Sequence, residues 1–154
     1  MRRFTLTLMA VLVAALALSA CGESGPTKAD YKKQFEPVNQ QIRDLGSAVG
    51  DAVTNAEGKA NAALDAQFAD LSTQSKALAD DVSKLEPPAD DIRKNQDALV
   101  NALREAARGL QSISAAAGAG NAAAAKAATI KLGTTTSAAI KASREAIEQQ
   151  VAAS

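Results

Sequence analysis

The chain contains no histidine and no tryptophan, and it has a single cysteine, Cys21, among its 154 residues. Structural zinc, haem and copper sites usually take His or Cys ligands, so we expect no such metal site and no cofactor. A cysteine nucleophile needs a neighbouring base such as histidine, and one cysteine cannot form an intramolecular disulfide bond. These absences favour a protein that is not an enzyme.

Aromatic residues are also scarce, at 3% of the chain, and basic and acidic residues balance at 17 each. Without Arg2 and Arg3 near the N-terminus, 15 basic residues remain against 17 acidic ones. A slightly acidic chain with few rings for base stacking is poorly suited to nucleic acid, which we exclude as a partner. Apolar residues reach 47%, but many are alanines that bury little area, so we expect one domain of modest stability.

The N-terminal segment "MRRFTLTLMAVLVAALALSAC" has the three parts of a secretory signal peptide. Arg2 and Arg3 form a basic region, residues 4–18 are apolar apart from two threonines, and Ser19 and Ala20 are small. As a helix, the apolar run would span about 22 Å, which is shorter than the ~30 Å hydrocarbon core of a bilayer. The segment therefore predicts a signal peptide rather than a membrane-spanning helix.

The order Leu18-Ser19-Ala20-Cys21 resembles the lipobox of bacterial lipoproteins, in which a leucine and two small residues precede a cysteine. The resemblance implies cleavage between Ala20 and Cys21, a diacylglyceryl thioether on the Cys21 sulfur, and acylation of the new Cys21 amine. Two or more acyl chains anchor a protein stably, whereas one chain binds only marginally. The implied location is the extracytoplasmic face of the cell membrane, in the cell envelope. The alternative is an ordinary cleaved signal peptide that leaves a free thiol.

This motif divides the chain into three parts. Residues 1–20 are the predicted signal peptide, residues 21–27 the lipidated cysteine with a flexible tether, and residues 28–154 the folded domain. The tether reads "GESGPT", a composition typical of flexible linkers. Thr27 or Ser24 is expected to cap the first helix.

Core residues recur at alternating steps of four and three in three segments of the domain, as in helices that share a core. The polar members of these series are Ser75 and Gln96. The series are Tyr31, Phe35, Val38, Ile42, Leu45, Val49 and Ala52; Leu64, Phe68, Leu71, Ser75, Leu78, Val82 and Leu85; and Ile92, Gln96, Leu99, Leu103, Ala106, Leu110 and Ile113.

Glycine and proline predict where these helices end. Gly58 in "TNAEGKAN" is the expected hinge after the first helix, and Pro87-Pro88 ends the second. The tract Gly118-Ala119-Gly120-Asn121 supplies a glycine to end the third helix and an asparagine to cap the fourth. Pro37 lies inside the first series and predicts either a kink or a later helix start.

The fourth segment, residues 122–151, has the weakest pattern. Ile140, Ile147 and Val151 form a stripe, but residues 133–136 are poor helix formers. Because short connections make neighbouring helices antiparallel, the sequence predicts an all-α fold, an antiparallel up-down-up-down four-helix bundle. The alternative is a long helical hairpin that completes its core as a homodimer.

Four acidic residues lie near the turn between the second and third helices: Asp80, Asp81, Asp90 and Asp91. Calcium accepts carboxylate ligands, but their spacing matches no EF-hand loop. Asp90 and Asp91 also suit the first turn of a helix, where the helix dipole favours negative charge. We therefore predict no metal site, and expect ion pairs at i,i+3 and i,i+4 to neutralise the cluster, with Lys84, Arg93 and Lys94 as the basic partners.

The stretch "STQSK" contains the one spacing in this region that suits an activated nucleophile, with Thr73 three residues before Lys76. The further motifs that accompany such a nucleophile–lysine pair in enzymes are missing from this chain. Ser75 occupies a core position, where we expect its hydroxyl to bond the backbone of its own helix. If an exposed part of one of these apolar series bound a helix of a partner, Ser75 and Gln96 would mark the hydrated part of the core.

The sequence predicts a membrane-anchored lipoprotein with a non-enzymatic interaction or structural role toward an unknown envelope protein. The alanine-rich body with its "KLEPPADD" turn also resembles small lipoproteins of actinobacterial type, which implies no functional residue beyond Cys21. The alternative is a solute-binding or sensory helical module. A closed pocket of mixed polarity, about 300 Å³ or larger, would favour that alternative.

Overall fold

The computed structural model describes residues 25–153, in which every regular element is helical and no strand occurs. The elements are α1 (Lys28–Thr54), α2 (Asn61–Ser83), α3 (Asp90–Gly118), α4 (Ala122–Lys131), a π-helical turn (Leu132–Thr136) and α5 (Ser137–Ala152). Because α4, the π turn and α5 follow without a break, they form the fourth helix of the bundle. The predicted all-α, four-helix fold is confirmed, while the predicted signal peptide and Cys21 lie outside the described residues.

Contacts between helix ends show the antiparallel arrangement. Gln96, near the start of α3, donates from Nε2 to the Val82 carbonyl at the end of α2, at 2.9 Å. Asn95 donates to Gln150, near the end of α5, at 3.0 Å. The Tyr31 hydroxyl, in the first turn of α1, donates to Gln96 at 2.9 Å. The starts of α1 and α3 therefore lie beside the ends of α2 and α5, as an up-down-up-down bundle requires.

The core contains most of the predicted heptad positions. In the first three series, Val38, Val49, Leu64 and Leu85 are partly buried, and every other member is buried. The buried residues that the pattern did not include are Asn39, Ala79, Pro87, Val100, Ala102, Ala107, Ser114, Ala117 and Leu132. Small side chains dominate this second group because α2 and α3, the most extensively packed pair, approach closely.

The first helix begins where its capping residue predicts. The Thr27 hydroxyl accepts from the backbone N–H of Asp30 at 3.2 Å, and the Asp30 carboxylate accepts in return from the Thr27 backbone, which is a capping box. Pro37 is exposed inside the helix. The alternative of a later start at Pro37 is therefore wrong, because the cap at Thr27 and the buried ring of Tyr31 fix the earlier turns.

The connections contain the glycines that the sequence indicated. Gly58 has a φ of 77° in the loop before α2, and Gly120 has a φ of 68° after α3. At Gly120 the chain makes a Schellman motif, since Gly120 donates to the carbonyl of Ala117 and Asn121 donates to that of Ala116. Asn121 then caps α4 by accepting from the Ala124 N–H at 3.0 Å.

The π turn explains the weak pattern of the fourth segment. Leu132 and Ile140 are eight residues apart, a spacing that in a plain α-helix departs from one face. A π turn accommodates one additional residue, so the eight-residue spacing acts as a seven-residue one. Leu132 is consequently buried, and it lies so close to α3 that a Cβ on Gly109 would be 3.3 Å from its Cδ1 atom.

Candidate functional site

A cleft of about 510 Å³ opens between α1, α3 and the fourth helix. Its lining includes two uncharged polar side chains, Ser47 and Ser137, and the glycine Gly46. α1 packs on α5 less extensively than α3 does, and these small residues leave the space between α1 and the fourth helix unfilled. The floor is formed by the aliphatic side chains of Ile42, Leu45, Val49, Leu103, Ala106, Leu110, Leu132 and Ile140.

Three cationic side chains line this cleft, Arg43 from α1 and Lys141 and Arg144 from α5, and its lining includes no carboxylate. Lys141 and Arg144 are three residues apart, so they project from the same side of α5. Arg43 comes from α1, and it lies near Arg144 because both approach the same Glu148 oxygen within 4 Å. The cleft therefore combines an apolar floor with a positively charged rim.

A polar network centred on the buried Asn39 borders the cleft. Asn39 of α1, whose side chain is 4% exposed, donates to the Glu148 carboxylate and accepts from the Arg144 guanidinium. Glu148 also lies 3.5 Å from Arg43 and 3.7 Å from Arg144. The network joins α1 to α5 and holds both arginines at the rim.

Burial lowers the pKa of Arg144 from its ordinary value, and the nearby Glu148 carboxylate opposes that effect. An arginine remains protonated at neutral pH even so, because the ordinary pKa of a guanidinium lies far above neutrality. With its side chain 14% exposed, Arg144 is a cation held largely away from water. Such a group favours an anionic partner, because its charge is less screened than that of a surface residue.

Cys21 and Ala20, the predicted lipidation and cleavage residues, lie outside the described residues. The four aspartates near the α2–α3 turn form separate contacts instead of one cluster. Asp81 pairs with Lys84 at 2.8 Å, Asp90 with Arg93 and Asp80 with Arg104 at 3.9 Å each, while Asp91 accepts from the Ile92 N–H. Over residues 25–153, no group of three or more His, Cys, Asp or Glu residues is placed to hold a metal ion.

Ser75 and Gln96 are buried, and each is hydrogen-bonded to groups of neighbouring helices. The Ser75 hydroxyl donates to the Leu103 carbonyl of α3 at 2.8 Å, which corrects the expected bond to its own helix. Gln96 donates to the carbonyls of Val82 and Leu85 and accepts from Tyr31. Every buried side-chain nitrogen or oxygen in the described part of the chain has a partner.

The Thr73 hydroxyl donates to the Ala69 carbonyl of its own helix at 3.1 Å. A hydroxyl–carboxylate pair that no sequence motif indicates joins Ser114 of α3 to Asp65 of α2. Asp65 is also close to Gly118, since a Cβ built on Gly118 would be 2.8 Å from the Asp65 Oδ2 atom. The Ser114–Asp65 pair therefore lies at a tight contact between α2 and α3. Neither Ser114 nor Asp65 lines the cleft.

Comparison of the chain with known protein families, with curated proteins and with solved structures finds no match in any of the three. None of the helices between residues 25 and 153 is long and apolar enough to cross a membrane. The cleft and its cationic rim are therefore the features of the described bundle on which a functional assignment can be built.

Proposed function

We propose that this protein is a lipoprotein, anchored through Cys21 at the extracytoplasmic face of the cell membrane, whose helical bundle is a non-enzymatic binding module of the cell envelope. The sequence Leu18-Ser19-Ala20-Cys21 supports the anchor. The cleft supports the binding role, since its volume of about 510 Å³ lies within the range of ligand pockets, roughly 300–1,000 Å³.

The cleft favours a binding role over a purely structural one. A bundle that acts only as a spacer gains stability by closing its core, because buried apolar area and close packing both lower its free energy. Here the aliphatic side chains of Ile42, Leu110 and Ile140 line a space that is left unfilled. The cleft is open to solvent, so it is a groove and not the closed pocket of mixed polarity that would favour a solute-binding or sensory module.

The anchor is tested in cells with Cys21→Ala. We expect this variant to lose incorporation of a labelled fatty acid and to accumulate as an uncleaved or mislocalised precursor. Normal labelling and membrane retention of the variant would contradict the lipoprotein assignment.

The binding role is tested by filling the cleft. Gly46 lines it, and a Cβ built on Gly46 meets no atom within 4 Å, so Gly46→Phe can extend into the space. Gln34 is exposed on the same helix and does not line the cleft, so Gln34→Phe is the control for the added ring. We expect Gly46→Phe to abolish binding of a fluorescent apolar probe and Gln34→Phe to preserve it. Equal effects of the two variants would contradict a binding role for the cleft.

A further inference from the structure

We propose that the cleft binds an amphiphile with one acyl chain and an anionic head group, with the chain on the aliphatic floor and the head group between Arg43, Lys141 and Arg144. This inference rests on the proposed binding function and names the chemical class of its ligand. A fatty acid and a single-chain phospholipid share this chemistry.

The floor fits an acyl chain in composition and in size. All eight apolar residues of the lining are Ile, Leu, Val or Ala, so the surface is flexible and aliphatic and has no ring for stacking. At roughly 30 Å³ for each water-sized group, a volume of 510 Å³ holds on the order of 17 such groups. That capacity corresponds to about one long acyl chain.

The rim fits an anionic head group because its charges are unbalanced on the cleft side. Glu148 neutralises part of the charge of Arg43 and Arg144, but it does not line the cleft; it lines a neighbouring cavity that Arg43 also borders. Lys141 has one weak contact, to Glu145 at 3.8 Å, and its side chain is exposed. Three cations against these two carboxylates leave one net positive charge at the rim.

The guanidinium groups also have suitable geometry. An arginine has five N–H donors in a planar fork that matches carboxylate and phosphate oxygens. Arg43 uses its Nε atom toward Gln40 at 3.1 Å and one terminal nitrogen toward Glu148, and the bond to Asn39 orients Arg144. Both side chains retain further N–H donors and line the same cleft as the apolar residues, as an amphiphile with adjacent tail and head requires.

The test measures binding to the chain that begins at residue 21 and carries C21S, so that no lipid is attached. The ligands, each kept below its micelle concentration, are palmitate, monopalmitoyl phosphatidate and uncharged monopalmitin, and calorimetry gives their affinities. We expect both anions to bind about tenfold or more tightly than monopalmitin, as one charge-assisted hydrogen bond provides. Preference for palmitate indicates a fatty acid as the ligand, and preference for the phosphatidate indicates a phospholipid.

Variants identify the rim residues. We expect R43Q and K141Q each to lower the affinity for palmitate several-fold and to leave the affinity for monopalmitin unchanged. Lys76 is exposed on α2, and we expect K76Q to change neither affinity. Circular dichroism checks that each variant is folded. Equal binding of palmitate and monopalmitin, with R43Q and K141Q without effect, would overturn the anionic specificity and leave the binding function intact. Failure of all three amphiphiles to bind, together with no effect of Gly46→Phe on the probe, would overturn both proposals.

Discussion

The Tyr31 hydroxyl donates a buried hydrogen bond of 2.9 Å to the Oε1 atom of Gln96, and so links the first turn of α1 to the start of α3. Gln96 in turn donates to two carbonyls at the end of α2, those of Val82 and Leu85. One glutamine thus satisfies groups from three helices at one end of the bundle. Because the site is shielded from water, the loss of any partner leaves a buried polar atom unpaired.

We expect Tyr31→Phe to lower the free energy of unfolding by about 1–3 kcal/mol, since it leaves Oε1 of Gln96 buried without its donor. The phenyl ring is retained, so the stacking on Phe35, at 5.9 Å between ring centroids, persists. Urea unfolding followed by circular dichroism measures the change. A variant as stable as the parent chain would show that this hydrogen bond contributes little.

Tyr31 also makes stability depend on pH in the alkaline range. Burial raises its pKa to about 12 in the folded chain, against about 10 when unfolded. The folded state therefore holds the proton more tightly, and this contribution, roughly 3 kcal/mol, is fully present below pH ~10 and is lost as the pH rises from ~10 to ~12. The chain has one tyrosine and no tryptophan, so tyrosinate absorbance reports this residue alone. Titration of the folded chain with a midpoint near 10 would contradict the prediction.

Asn39 is expected to be the critical residue of the α1–α5 contact. Asn39→Ala removes the acceptor of Arg144 and a donor to Glu148, so we expect a loss of about 1–3 kcal/mol in the free energy of unfolding. Gln34→Ala, at an exposed position of the same helix, is the control and should change it by less than about 0.5 kcal/mol. Urea unfolding of the two variants measures both free-energy changes. Equal changes would show that the network does not stabilise the bundle.

The π turn yields a prediction about deletions. Removing Thr135, an exposed residue of the turn, converts it into a plain α-helical turn and keeps Leu132, Ile140 and Ile147 on one face. We expect this deletion to preserve the melting temperature within a few degrees, whereas deletion of the exposed Ala142 in α5 rotates Ile147 and Val151 by about 100° and destabilises the fold strongly. Thermal unfolding compares the two. A larger loss from the Thr135 deletion would show that the π geometry itself is required.

The sequence by itself determined the fold class and most of the core. The steps of four and three from Tyr31 to Ala52 and from Ile92 to Ile113 place those residues on one helix face, because 3.6 residues make a turn. Thr27, Gly120 and Asn121 likewise determined helix ends, since caps depend on local backbone geometry. These features depend on interactions within a few residues, which a sequence pattern contains directly.

The tertiary structure alone decided the candidate site. Arg43, Lys141 and Arg144 look like ordinary surface charges in the sequence, and they come together because α1 and α5 meet around the buried Asn39. Leu132 falls outside the sequence pattern because only the π turn brings it into register with Ile140. The volume of the cleft depends on the distance between the packed helices at their small residues. That distance is set by contacts between side chains that are remote from one another in the chain.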